Sequence, residues 1–90
     1  MKIELYRVPN DTEGEKIKEF LIRNRLSFTE IVTDDISVLN KVAQIPVGRK
    51  FSLLKVTYSG AIGIIDGFNE IALNQLIEHI KKYNLKIKID

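Results

Sequence analysis

Five consecutive residues, Asp11-Thr12-Glu13-Gly14-Glu15, hold the densest set of reactive groups in this sequence: three carboxylates and a hydroxyl, directly after Pro9-Asn10. Their order fits the start of an α-helix, where free backbone amides and the positive end of the helix dipole receive an anion. Thr12 and Glu15 have capping-box spacing, each satisfying an amide at the helix start, and Asp11 competes for the cap. A second group, Asp66-Gly67-Phe68-Asn69, precedes another helical pattern. Gly67 suits a turn and Asn69 a cap. His79 is the single histidine and there is no cysteine. These residues therefore supply no thiol nucleophile, no disulfide and no thiolate zinc site, and one imidazole does not make the usual metal site.

The elements that must position these groups belong to a chain of 90 residues, 44% hydrophobic and 29% charged, which is enough for one domain with one core. Fourteen Lys and Arg against twelve Asp and Glu leave a net charge of +2, which argues against a dedicated nucleic-acid binder. Met1 leads into Lys2-Ile3-Glu4-Leu5-Tyr6, without the apolar run of a secretory signal. No stretch is long and apolar enough to span a membrane, so a cytoplasmic protein with no membrane partner is expected. Lys81-Lys82-Tyr83-Asn84-Leu85-Lys86-Ile87-Lys88 is basic. It offers a surface to an acidic partner or nucleic-acid backbone, and reads equally as a solvated edge whose lysines discourage aggregation.

Along the chain, Ile3 to Val8 reads as a strand stopped by Pro9-Asn10. A helix follows with Ile17, Phe20 and Leu21 on its apolar face and Lys16, Lys18, Glu19 and Arg23 towards water, ending near Asn24 or Arg25. Leu26 to Val32 reads as a second strand, closed by Thr33-Asp34-Asp35. Asp35 to Gln44 reads as a short helix with Ile36, Leu39 and Ala43 on one face, and Pro46 and Gly48 mark the loop beyond. Phe51 to Tyr58 and Ala61 to Ile65 flank Ser59-Gly60 as a hairpin whose turn uses the positive backbone angle open to glycine. The last helix begins near Asn69, with Phe68 and Leu73 as a hydrophobic staple and Leu73, Leu76, Ile77 and Ile80 as its buried stripe. Lys81 and Lys82 complement the negative end of its dipole.

The order is β-α-β-α-β-β-α over residues 1–84, a single domain, with 85–90 forming a short strand or tail. One arrangement is an α/β fold, in which two parallel strands joined by a helical crossover meet the hairpin in a four-stranded mixed sheet flanked by helices. In the alternative, the middle helix is only a loop and the terminal segment is a strand, giving a ferredoxin-like α+β arrangement.

This order and spacing resemble the glutaredoxin branch of the thioredoxin-like superfamily over nearly the whole chain. In that family, strand one runs through a proline into Cys-x-x-Cys at the helix start. Here Leu5-Tyr6-Arg7-Val8-Pro9-Asn10 runs into Asp11-Thr12-Glu13-Gly14, so Asp11 and Gly14 occupy the cysteine positions. The family's Gly-Gly-Phe-Asp before the last helix is matched by Asp66-Gly67-Phe68-Asn69. Its Thr-Val-Pro segment, with a cis-proline facing the active site, falls on Ser52-Leu53-Leu54, so Leu54 stands where the proline would be; Pro46 is the alternative and needs an insertion. The family's lysine before the motif is replaced by Val8, with Arg7 beside it.

The resemblance implies a redox-inactive glutaredoxin-like module that binds a protein partner or a small anionic ligand at the degenerate active-site face. Asp11, Thr12, Ser52, Leu54, Gly67 and Asn69 are the ligand-binding candidates, and there is no catalytic or metal set. Arg7, Arg49 and Lys50 could flank that face, although scattered cations are usually solvated. No cofactor is expected, and glutathione is the ligand that the resemblance would supply. One alternative is a glutathione-using transferase in which Thr12 or Ser52 donates a hydrogen bond to an external thiol. Another is a small regulatory or nucleic-acid-associated protein using the basic segment from Lys81 to Lys88.

Overall fold

The computed structural model describes residues 1–43 and 51–87. Strand β1 (Lys2–Arg7) buries Ile3 and Leu5 on one face. Pro9-Asn10 ends it, with Asn10 in the left-handed region at φ 65°. Helix α1 (Thr12–Arg23) turns Gly14, Ile17, Phe20 and Leu21 inward, the face that the apolar spacing predicts. After it come β2 (Thr29–Val32), α2 (Ile36–Ala43), β3 (Leu53–Tyr58), β4 (Ala61–Asp66) and α3 (Glu70–Tyr83).

The strands form one mixed sheet in the order β2-β1-β3-β4. The β1–β2 pair is parallel, with α1 as the crossover, and β1–β3 and β3–β4 are antiparallel. Neighbouring strand residues point to opposite faces, and Leu53 and Leu54 accordingly join different cores. Leu54 packs with Ile3, Leu5, Ile17, Phe20, Leu21 and Leu73, under α1 and α3. Leu53 packs with Val8, Leu39 and Ala43, under α2. A fully buried leucine contributes about 1.5–3 kcal/mol. Helix α1, with three large residues inside, is therefore held more firmly than α2, which buries Leu39 and Ala43.

The α/β arrangement with a four-stranded mixed sheet and three helices is what the order of elements led us to expect. The ferredoxin-like alternative fails at both its requirements among the described residues: 36–43 is helix rather than loop, and 85–87 is in no strand. The amino terminus instead donates to the Lys86 carbonyl at 3.0 Å, and Ile87 packs against the larger core. Strand β2 starts at Thr29 rather than Leu26, because residues 24–26 complete the end of α1. Asn24 and Leu26 donate to Phe20 and Leu21, and Arg25 takes φ 57°. Strand β3 starts at Leu53 rather than Phe51, and β4 extends through Asp66. Helix α2 starts one residue after Asp35, whose carboxylate accepts from the Ser37 amide, and Ile36 is partly exposed rather than fully inside. Gln44, Pro46, Gly48, Arg49, Lys50, Lys88 and Ile89 lie outside the described residues.

The hairpin turn at Ser59-Gly60 has φ 50° and 81°, and a continuous register follows from Tyr58–Ala61 to Leu53–Asp66. Among the described residues, no helix is long and apolar enough to cross a membrane.

Candidate functional site

Because β2 runs parallel to β1 and β4 shares their direction, all three helices begin at the same end of the sheet. The residues from the start of α1, the start of β3 and the end of β4 meet there. Asp11, not Thr12, is the cap of α1: its Oδ1 accepts from the Glu13 amide at 3.1 Å. The capping box centred on Thr12 does not form, since the cap is Asp11 and the third helical residue is Gly14, which has no side chain to return the bond; Thr12 is the exposed first residue of the helix. A carboxylate on a short stem satisfies the local amide and reaches across to β3 at the same time. Asp11 Oδ2 accepts from the Ser52 backbone amide at 2.9 Å, forty-one residues away.

Ser52 is fully buried, and its Oγ accepts from the Val8 amide at 2.9 Å. That bond satisfies the amide left unpaired as the chain leaves β1. The Ser52 carbonyl accepts from Gly67 at 2.9 Å, carrying the β3–β4 register one residue past the strands. Gly67 has φ 61°, which favours glycine, and a β-carbon there would stand 3.0 Å from Glu13 Oε1. Glu13 Oε1 in turn accepts from the Phe68 amide at 3.2 Å. Gly14 lies against the same serine, and an added β-carbon would collide with Ser52 Oγ and stand 2.9 Å from Arg7 Cγ.

Arg7 is paired rather than solvated. Its Nη1 donates to Glu15 and its Nε to Glu30, both at 2.9 Å, and Lys18 reaches Glu30 at 3.1 Å. The hydrogen bond from Arg7 holds Glu30 below the usual carboxylate range against the opposing effect of burial, with Lys18 adding to it. Burial would raise the Asp11 pKa, but hydrogen bonds from Ser52 and from the Glu13 and Gly14 amides outweigh it and leave the carboxyl lowered. The ionised form of Asp11 is thus favoured in the amide-rich corner.

The candidates divide accordingly. Asp11, Ser52 and Gly67 are brought together by hydrogen bonds within the chain. Asn69 caps α3, its Oδ1 accepting from the Ala72 amide at 3.1 Å. Leu54 is fully buried in the core between β3 and the helices, and presents nothing polar to this end. The links from Glu13 to Phe68 and from Arg7 to Glu15 and Glu30 are not part of the sequence reading. Gly14 is a usable signal only for the close approach of Ser52 and Arg7, since a glycine in the first turn of a helix lowers helix stability unless a close neighbour requires it.

Around this closed corner, large apolar side chains face solvent. Ile71 in the first turn of α3 is 73% exposed, Val32 at the end of β2 is 50% exposed, and Ile36 opens α2 at 36%. At the other end of the sheet, a groove of about 370 Å³ lies between β3, β4 and α3, lined by Val56, Tyr58, Gly63, Ile65, Leu76 and His79 among others. His79 is exposed, with its ring 4.8 Å from that of Tyr83 and 6.3 Å from that of Tyr58. Lys81, Lys82 and Lys86 are exposed, and Lys82 lies over the Tyr83 ring. No group of three or more metal-ligating side chains forms among the described residues.

Compared with known proteins, the chain matches no family model, no curated protein and no solved structure.

Proposed function

We propose that this chain is a cysteine-free module of the thioredoxin-like, glutaredoxin-type class that works by binding a protein partner at the end where its three helices start. The topology supports the class: parallel β1 and β2 joined through α1, an antiparallel hairpin, and helices on both faces of the sheet. Asp11 stands where that class carries its attacking thiolate. It keeps the charge, without the nucleophilicity, and serves as a clasp between α1 and β3. An external anion such as glutathione would have to displace Asp11 and Glu13 carboxylates already bonded to amides, so of the two ligand classes the protein partner is favoured.

The observation that carries this reading is Ile71, 73% exposed in the first turn of α3, two residues past the Asn69 cap and next to the Phe68 amide that Glu13 holds. Val32 and Ile36 are exposed at the same end, on the β2 side of the sheet. The transferase alternative is poorly supported at Ser52, whose hydroxyl is fully buried and bonded to Val8.

Affinity capture with immobilised wild-type protein tests the proposal, with Ile71→Glu as the disrupting variant and Ile22→Glu, exposed on α1, as the control. The expected outcome is a partner retained by wild type and Ile22→Glu and lost from Ile71→Glu, with no heat on calorimetric titration of glutathione. Capture indifferent to Ile71→Glu, or a saturable glutathione isotherm, would overturn it.

A further inference from the structure

Strand β4 is an edge of the sheet, bonded on one side to β3 and to no other strand among the described residues. Edge strands are normally protected by charge, proline, a bulge or short length. Strand β4 has none of these over Ala61-Ile62-Gly63-Ile64-Ile65. The five residues are uncharged, the register is unbroken, and Ile62 is 48% exposed. The opposite edge is protected: β2 is four residues long and carries Glu30.

The hairpin identifies which backbone groups are free. In a two-residue hairpin the pair flanking the turn, Tyr58 and Ala61, exchanges hydrogen bonds, and such pairs alternate along the ladder. Ala61, Gly63 and Ile65 therefore bond inward to β3. The Gly67 amide donating to the Ser52 carbonyl continues the same odd-numbered series. The N–H and C=O groups of Ile62, Ile64 and Asp66 point away from the sheet.

We infer that β4 pairs antiparallel with β4 of a second copy of this chain, about a two-fold axis through Gly63. That register satisfies the outward groups of both copies. Ile62 of each copy exchanges hydrogen bonds with Ile64 of the other, and Asp66 meets Gly60. No two like charges face each other. Gly63 meets Gly63 at the non-hydrogen-bonded position, where the chains approach most closely. Ile62 and Ile64 of the two copies form one aliphatic cluster on the α2 side. On the other side, Ile65 of the second copy stands beside Ala61 and adds a wall to the groove under α3. A partner of different sequence would also satisfy the amides. The second copy is favoured because the same uncharged segment complements itself in hydrogen bonds, side-chain size and charge.

This dimer goes beyond the proposed docking of a partner at Ile71 and is tested apart from it. Sedimentation equilibrium on the full chain over a range of concentrations is expected to show a reversible monomer–dimer equilibrium. Ile62→Lys, which places a cation against Ile64 of the other copy, is expected to raise the dissociation constant at least about tenfold. Amide exchange on wild type keeps the test independent of how that variant folds. The Ile62 and Ile64 amides should be protected when concentrated and exposed when dilute, while those of Gly63 and Ile65 stay protected throughout. A chain that stays monomeric at millimolar concentration, including one that binds a foreign strand there, overturns the inference. A dimer unaffected by Ile62→Lys does so as well.

Discussion

Asp11 shows how one carboxylate can serve a helix cap and a neighbouring strand at once. Its carboxylate takes the Glu13 and Ser52 amides, so the ionised form belongs to the folded state. Because its folded pKa lies below that of an unfolded aspartate, near 3.9, the unfolded chain binds more protons in acid. The stabilisation is complete above that unfolded value and is lost as the pH falls through the folded one. Glu30, held down by Arg7, acts in the same direction. Asp11→Asn keeps an acceptor oxygen but cannot ionise. It should lower stability at neutral pH by about 1 kcal/mol and flatten the slope of stability as the pH falls below the unfolded carboxylate range. Urea unfolding at a series of pH values measures both, and an unchanged slope in the variant would contradict the role given to this carboxylate.

At the scale of elements, the clasp sets how closely α1 approaches β3. Gly14 permits the contact: its missing side chain leaves room for the buried Ser52 hydroxyl, which is fixed by its bond to Val8. Gly14→Ala brings opposing effects. Alanine favours a helix over glycine by about 1 kcal/mol, while overpacking costs about 1–3 kcal/mol. Arg7 can move aside, but Ser52 cannot without unpairing a buried amide, so the clash wins. A net loss of up to about 2 kcal/mol in denaturant unfolding is expected. A stabilised variant would show that α1 can shift freely against the sheet.

For the whole molecule, what was legible in the sequence was local. The spacing of Ile17, Phe20 and Leu21 announces a helix face, Ser59-Gly60 a hairpin, and Asn69 a cap, because each acts within a few residues of itself. Strand β2 starts later than the apolar pattern suggests for the same reason: Leu26 and Phe28 are apolar and pack on the core, yet residues 24–26 close α1. The site residues were partly legible, since a helix start rich in carboxylates is visible in sequence. Their partners were not, because Glu13 and Phe68 are 55 positions apart, and Arg7 and Glu30 are 23 apart. Pairs at such separations are set by sheet order, which no local pattern records.

The Ser52 amide reports most directly on whether the chain's own anion closes the corner where the helices start. Measured by nuclear magnetic resonance, it should exchange slowly with solvent, and its shift should follow a carboxyl titration in acid while remaining unmoved by millimolar glutathione. An amide that exchanges as fast as an exposed loop and shifts saturably with glutathione would mean the corner is an open ligand site.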